Sequence, residues 1–277
     1  MKKTEILLYS DGSDIAGKAF ALGLQIAKAM ADVVDILDVA RSLEQQEVSR
    51  RQIKQVTDEL SKSGIFANIY RRPGFIGQRL IEQARATDYD LVVIGSVGRR
   101  GIKRLLAGSR ACTVLGGAAT SVLVVKGPGQ GKIKTILTCS SAGPASASTV
   151  GFAARLAHAL GASVTLLHVM SQVALQEGAT GADLVAEAEE LMARDAREGV
   201  HMGSMLEVLR GEGVEAQAVV RHGLVVEEIV AEARDGDFDM LIVGAHTTPD
   251  VASLLSSDLS QKIMLAAKRP ILIVHQD

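Results

Sequence analysis

Residues 91–110 read LVVIGSVGRRGIKRLLAGSR. The apolar run Leu91 to Ile94 is strand-like, and Gly95 stops it. Glycines recur at 98, 101 and 108, interleaved with Arg99, Arg100, Lys103 and Arg104, before Ser109 opens an apolar-periodic stretch of helical spacing. A strand that empties into such a loop and then a helix lets backbone N–H groups and a positive helix N-terminus face a bound phosphate. No G-x-x-x-x-G-K-[ST] occurs, and no G-x-G-x-x-G lies between a strand and a helix, so the P-loop and dinucleotide fingerprints are both absent.

Upstream, the same alternation repeats. Glu5 to Tyr9 is a short strand closing in Ser10-Asp11-Gly12-Ser13, a turn and helix N-cap, and a helix comes next over Ala16 to Met30. Val33 to Val39 predicts a second strand, Glu44 to Ser63 an amphipathic helix, Ala67 to Tyr70 a weaker strand and Gly77 to Ala86 a helix. Downstream, a helix is expected over about Ser109 to Gly116 and a fifth strand over Ser121 to Lys126. Strands alternating with helices predict a parallel sheet covered on both faces.

Gly127-Pro128-Gly129-Gln130-Gly131 then interrupts the pattern, and the pattern restarts. Val33 to Val39 aligns with Ser163 to Val169 at an offset of 130; Gly74 aligns with Gly223, Gly95 with Gly244 and Val122 with Ile271, each at 149. The 19 extra residues therefore enter between Val169 and Ala216, in an Ala- and Glu-rich stretch read as a long helix. This is a tandem duplication, with domains expected at 1–127 and 133–277 around a linker at 128–132. The copies differ where an anion would sit: Ser141 answers Asp11, Thr247 answers Gly98, Ser257 answers Gly108 and Asp258 answers Ser109. A β-branched residue and an acid at positions of close backbone approach argue that only the first copy binds.

Charge agrees with that asymmetry. Through residue 127 there are 19 basic and 13 acidic residues; after it, 11 basic and 19 acidic. Aromatic residues are 3% of the chain and no basic face is interleaved with them, which argues against a nucleic-acid surface. No apolar run reaches the roughly 20 residues of a membrane span, and no signal peptide is read at the N-terminus. The two cysteines, Cys112 and Cys139, make no disulfide framework, and a cytoplasmic location is expected.

The spacing Gly95, Gly98, Gly108, Ser109 resembles the nucleotide-binding signature of the universal stress protein family, and the words between the glycines resemble it too. The resemblance covers the chain twice. It implies two tandem α/β domains of the Rossmann-like, HUP-type class, each an open twisted five-stranded parallel sheet. It further implies antiparallel pairing of the last strands, Ser121 to Lys126 and Pro270 to His275, into an internal pseudo-dimer with approximate two-fold symmetry. Many family members bind ATP, with an acid after the first strand near ribose and adenine and the glycine motif around the phosphates. Carried over, this implicates Asp11, Val39, Gly95, Gly98, Gly108 and Ser109. Gly12, Ser13, Val97, Arg99 and Arg110 flank these positions and complete the candidate set. Val97 stands where the family commonly carries histidine, and Arg110 where it commonly carries an apolar residue.

The expected ligand is an adenine nucleotide, ATP, ADP or AMP, with or without Mg²⁺. Three functions stay open: an ATP-binding stress-response regulator acting on a protein partner, a slow ATPase, and an interaction scaffold that binds no nucleotide. Hydrolysis has the least support, because no Asp or Glu lies between Gly95 and Gly116 to hold Mg²⁺ or act as a base. The histidines show no metal-ligand spacing. Association into a homodimer beyond the internal pairing is left open by the sequence.

Overall fold

The apolar runs of the sequence become parallel strands. The computed structural model describes residues 4–40, 42–74, 76–95, 120–126, 131–140, 145–170, 188–193, 197–245 and 253–275. The chain divides into two units, one formed by Met1–Lys132 with Pro270–His275 and the other built on Ile133–Arg269.

In the first unit the described elements are β1 (Glu5–Ser10), α1 (Asp14–Met30), β2 (Val33–Asp38), α2 (Leu43–Lys62), β3 (Phe66–Arg71), α3 (Ile76–Ala86), β4 (Leu91–Gly95) and β5 (Ser121–Val125). The strands lie in the order β3-β2-β1-β4-β5, and each neighbouring pair is parallel. β1 thus has β2 on one side (Leu8↔Ile36) and β4 on the other (Leu8↔Val93), so the strand order reverses beside it. Ile6, Leu7 and Leu8 are fully buried, as strands covered on both faces must be. β3, by contrast, leaves Phe66 70% exposed.

Local chemistry sets the helix starts. α1 begins at Asp14, earlier than expected, because Ser13 is its N-cap, with the hydroxyl accepting from the Ala16 amide at 3.3 Å. Ser42 and Gln45 form a reciprocal capping box on α2. One buried acid holds the sheet's register: Asp35, within β2, accepts from Asn68 Nδ2 of β3 at 2.8 Å and from the Tyr89 hydroxyl at 2.5 Å. Burial, reinforced by Asp35, pushes the Tyr89 hydroxyl well above its ordinary pKa.

The second unit repeats this plan with β6 (Thr135–Ser140), α4 (Ala145–Leu160), β7 (Ser163–Met170), α5 (Ala188–Ala193), α6 (Arg197–Gly211), β8 (Ala216–His222), α7 (Val225–Asp235), β9 (Met240–Gly244) and α8 (Ser253–Ala266). Its parallel pairs are β9-β6, β6-β7 and β7-β8. The duplication extends to register, since Ile6↔Leu91 recurs as Ile136↔Met240. It extends to side chains too: Asp90 accepts from the Glu5 amide at 2.9 Å, and Asp239 from the Thr135 amide at 3.1 Å. The single long helix expected before Ala216 is instead two described helices, α5 and α6. The expected helix over residues 109–116 lies outside the described residues, as does most of the glycine linker.

The chain's last strand, β10 (Ile271–Val274), joins the first unit's sheet antiparallel to β5, with Ile271↔Val124 and Ile273↔Val122. This is the pairing of last strands that the family resemblance implies. Proline at Val124 would remove a ladder donor from a strand paired on both sides and leave its buried partner unsatisfied, at a cost of about 1–3 kcal/mol. Val124→Pro should therefore expose the segment around β10 to limited proteolysis. A variant as resistant there as the parent would show that this ladder does not hold the C-terminal strand.

Candidate functional site

The reversal of strand order beside β1 places the exits of β1 and β4 next to each other on the carboxyl edge of the first sheet. In open α/β sheets that crevice is where ligands bind. Asp11 comes directly after β1 and Gly95 ends β4, so two residues 84 positions apart in sequence lie at the ends of neighbouring strands.

Each flanking residue has an assignable job. Asp11 Oδ1 accepts from the Ser13 amide at 3.0 Å and from the Ser13 hydroxyl at 2.6 Å. Asp11 therefore does not cap α1 itself; it orients the serine that does. Among the described residues no hydrogen bond engages Asp11 Oδ2. Ser13 is occupied as donor to Asp11 and as cap. Gly12 has φ +74° and donates its amide to Ser10 Oγ at 3.2 Å. The Val39 amide donates to the Ser10 carbonyl at 2.9 Å and the residue is 1% exposed, so it has an apolar wall and a carbonyl to offer but no N–H. Gly95 is needed for packing: a Cβ there would lie 2.5 Å from the Ile15 carbonyl oxygen, because the start of α1 presses on the end of β4.

Beneath this edge runs a polar chain that sequence reading did not single out. Ser49 Oγ donates to Asp38 Oδ1 at 2.8 Å and lies 3.0 Å from Ser10 Oγ. It ties α2 to the ends of β1 and β2, and its only signal in the sequence is a polar residue closing each apolar strand. Lys126 was also passed over. It comes directly after β5, whose Val125 pairs with Gly95, and burial pushes its ammonium down to about 8. Val97, Gly98, Arg99, Gly108, Ser109 and Arg110 lie outside the described residues, as do Arg100, Lys103 and Arg104.

In the second unit the equivalent edge is built from different chemistry. His168 takes the place of Asp38; it is 7% exposed, with Nδ1 3.2 Å from the Ser140 carbonyl, while His201 Nε2 lies 2.8 Å from Ser140 Oγ. Desolvation holds the His168 pKa below its ordinary value, against the pull of the Ser140 carbonyl and Glu198. The unfolded chain, with histidine near 6.5, then binds the extra proton first as pH falls, so stability present above about pH 6.5 is lost below it. Urea midpoints should fall through that window, and His168→Asn should flatten the decline; an unchanged slope in the variant would assign the effect elsewhere. Ser257 and Asp258, the counterparts of Gly108 and Ser109, both lie within α8 beyond its first four residues. Their amides are consumed by the helix's own hydrogen bonds.

Among the described residues no helix is long and apolar enough to cross a membrane, and no group of three or more His, Cys, Asp or Glu could hold a metal ion.

Two successive α/β units with matching strand order and register define a duplicated protein of the Rossmann-like, HUP-type class. The model of the universal stress protein family matches residues 4–126 and again 132–275, and the chain belongs to that family. A universal stress protein of Methanocaldococcus jannaschii is 28% identical over 140 residues, 45% of this chain and 82% of that protein. The crystal structure of a universal stress protein from Archaeoglobus fulgidus superposes with a TM-score of 0.69 at 18% identity, covering 98% of this chain and 96% of that one. A functionally unknown protein from Pseudomonas aeruginosa gives 0.70 at 14% identity, covering 99% and 93%. At such identities the likeness is one of fold.

Proposed function

We propose that the first unit binds one adenine nucleotide at the edge between β1 and β4, and that the chain acts as a nucleotide-responsive stress regulator. The observation that carries this reading is the placing of Asp11 and Gly95 at the ends of the neighbouring strands β1 and β4, where the strand order reverses, with Asp11 Oδ2 uncommitted among the described residues. Asp11 is oriented by Ser13 to accept from ribose hydroxyls, and buried Val39 offers an apolar wall to the base. The chain leaving Gly95 carries Gly98, Gly108 and Ser109, whose spacing suits backbone amides to phosphate oxygens. ATP fits these residues. No acid lies between Gly95 and Gly116 to act as a base, which supports binding over turnover as the activity of this edge.

The second unit is assigned no nucleotide. The amides of Ser257 and Asp258 are spent inside α8, and Asp258 would repel phosphate.

Calorimetry on the full chain tests both points. One ATP per chain is expected, and Asp11→Ala should weaken ATP and adenosine alike, by about tenfold, in keeping with a hydrogen bond to a charged group. Two comparable sites would refute the asymmetry. A variant that loses ATP affinity while keeping that for adenosine would move Asp11 to the phosphate end.

A further inference from the structure

On the far side of Val39 from the β1–β4 crevice, the ends of β2 and β3 and the first turns of α2 border a half-open cavity of about 200 Å³. Three arginines line it, Arg50 from α2 and Arg71 and Arg72 from the end of β3, against one carboxylate, Asp38. That carboxylate is already engaged. Its Oδ1 accepts from Ser49 Oγ at 2.8 Å and from the Ala40 amide at 3.4 Å, and its Oδ2 lies 3.8 Å from Arg71 Nε. Among the described residues Arg50 and Arg72 form no ion pair, so neither guanidinium group lining the cavity is held by a carboxylate.

The second unit shows what such an arginine does when a protein partner is supplied. Arg221 aligns with Arg72 at the same offset of 149, and it is held by Glu232 at 2.5 Å, with Asp235 at 3.8 Å and Glu228 at 4.0 Å. The three positions of α3 that answer those acids are Gln83, Ala86 and Arg79. The acids that hold Arg221 are thus absent at the matching positions of α3; the acid that α3 does carry nearby, Glu82, is bonded to Arg79 at 2.6 Å and reaches Arg72 only through its field.

The backbone under the cluster is fixed. The Arg72 amide donates to the Asp38 carbonyl at 3.0 Å, and the Pro73 carbonyl accepts from Arg79 Nε at 2.8 Å. Gln46, in the first turns of α2, lines the same wall. The described lining has no aromatic residue to stack on a base, and the volume is below the roughly 300 Å³ at which pockets for drug-sized ligands begin. Paired guanidinium groups match the oxygens of a tetrahedral dianion in charge and geometry.

We propose that this cavity, at the ends of β2 and β3, is an anion site for a phosphate dianion or phosphomonoester group. The phosphoryl group comes either as free phosphate or as part of a larger phosphorylated ligand. The site stands whether or not the first unit binds a nucleotide.

Inorganic phosphate, titrated into the full chain at low ionic strength and followed by calorimetry, is the probe. One saturable site is expected, weakened at least tenfold in the Arg50→Gln/Arg72→Gln double variant, whose changes fall on exposed side chains. Repeating the titration with saturating ATP separates the sources. Phosphate binding that ATP abolishes and adenosine leaves intact assigns the group to a nucleotide; binding that survives both assigns it to free phosphate. Titrations without saturation, or a double variant that binds phosphate like the parent, would overturn the proposal. So would loss in Gly98→Val with no loss in the double variant, because the anion would then sit in the glycine loop.

Discussion

Valine at Gly98 or at Gly108 is expected to weaken ATP binding at least tenfold, the equivalent of about 1.4 kcal/mol. The chain reaches this segment from β4, whose end is fixed by the contact of Gly95 with the start of α1, so the glycine loop departs from the carboxyl edge beside Asp11. If backbone amides there face phosphate oxygens, a Cβ at either glycine stands between donor and acceptor. Adenosine, lacking phosphates, should be affected far less, which separates these variants from Asp11→Ala. Removing Arg99 or Arg100 should cost less and the loss should fade with salt, as for charges that attract without fixed contact. Thermal melting must show that each valine variant is folded. Folded Gly98→Val and Gly108→Val chains that bind ATP like the parent would remove the phosphate assignment and leave the interaction scaffold in its place.

A larger loss of stability is expected from Gly12→Ala. At φ +74° any L-residue is strained, by about 1–2 kcal/mol. The new Cβ would also lie 2.2 Å from the Gln45 carbonyl oxygen and 2.9 Å from its carbon. Those are backbone atoms of a helix turn held by the Ser42–Gln45 capping box, so they cannot step aside without opening the cap. Strain and overlap together should lower unfolding free energy by about 3 kcal/mol or more. Gly64 is the control, since it has φ +73° but nothing within 4 Å of its missing Cβ, and Gly64→Ala should show the strain alone. Equal urea midpoints for the two variants would mean that α2 does not press on the β1–α1 turn.

Much of this architecture was legible residue by residue. Apolar runs of strand length alternating with helical periods gave the α/β class, and turn residues after β1 and β3 marked the strand exits. The restart after the glycine linker gave the duplication, down to the offsets of 130 and 149 that the pairings Ile6↔Leu91 and Ile136↔Met240 obey. Helix starts were read within two residues, since Ser13 carries a cap's signature in its own side chain. The length of the helix before Ala216 was misjudged. Ala- and Glu-rich composition favours helix throughout that stretch, but composition does not say where one helix stops and the next begins.

Sequence alone determined the fold class, the repeat and the candidate loop, because periodicity, turn chemistry and spacing belong to neighbouring residues. Tertiary structure decided which polar groups are spent and which are left over. Ser13 caps α1 while Asp11 holds Ser13, Val39 gives its amide to Ser10, and Gly95 yields its space to Ile15. Arg72 and Arg221 occupy equivalent positions in sequence, yet Arg221 is ion-paired by acids of the next helix, whereas Glu82 of α3 spends its carboxylate on Arg79 and forms no ion pair with Arg72. The physical reason is that a charge or hydrogen-bonding group is satisfied by whatever packs against it from another element, and only the folded sheet brings those partners within reach.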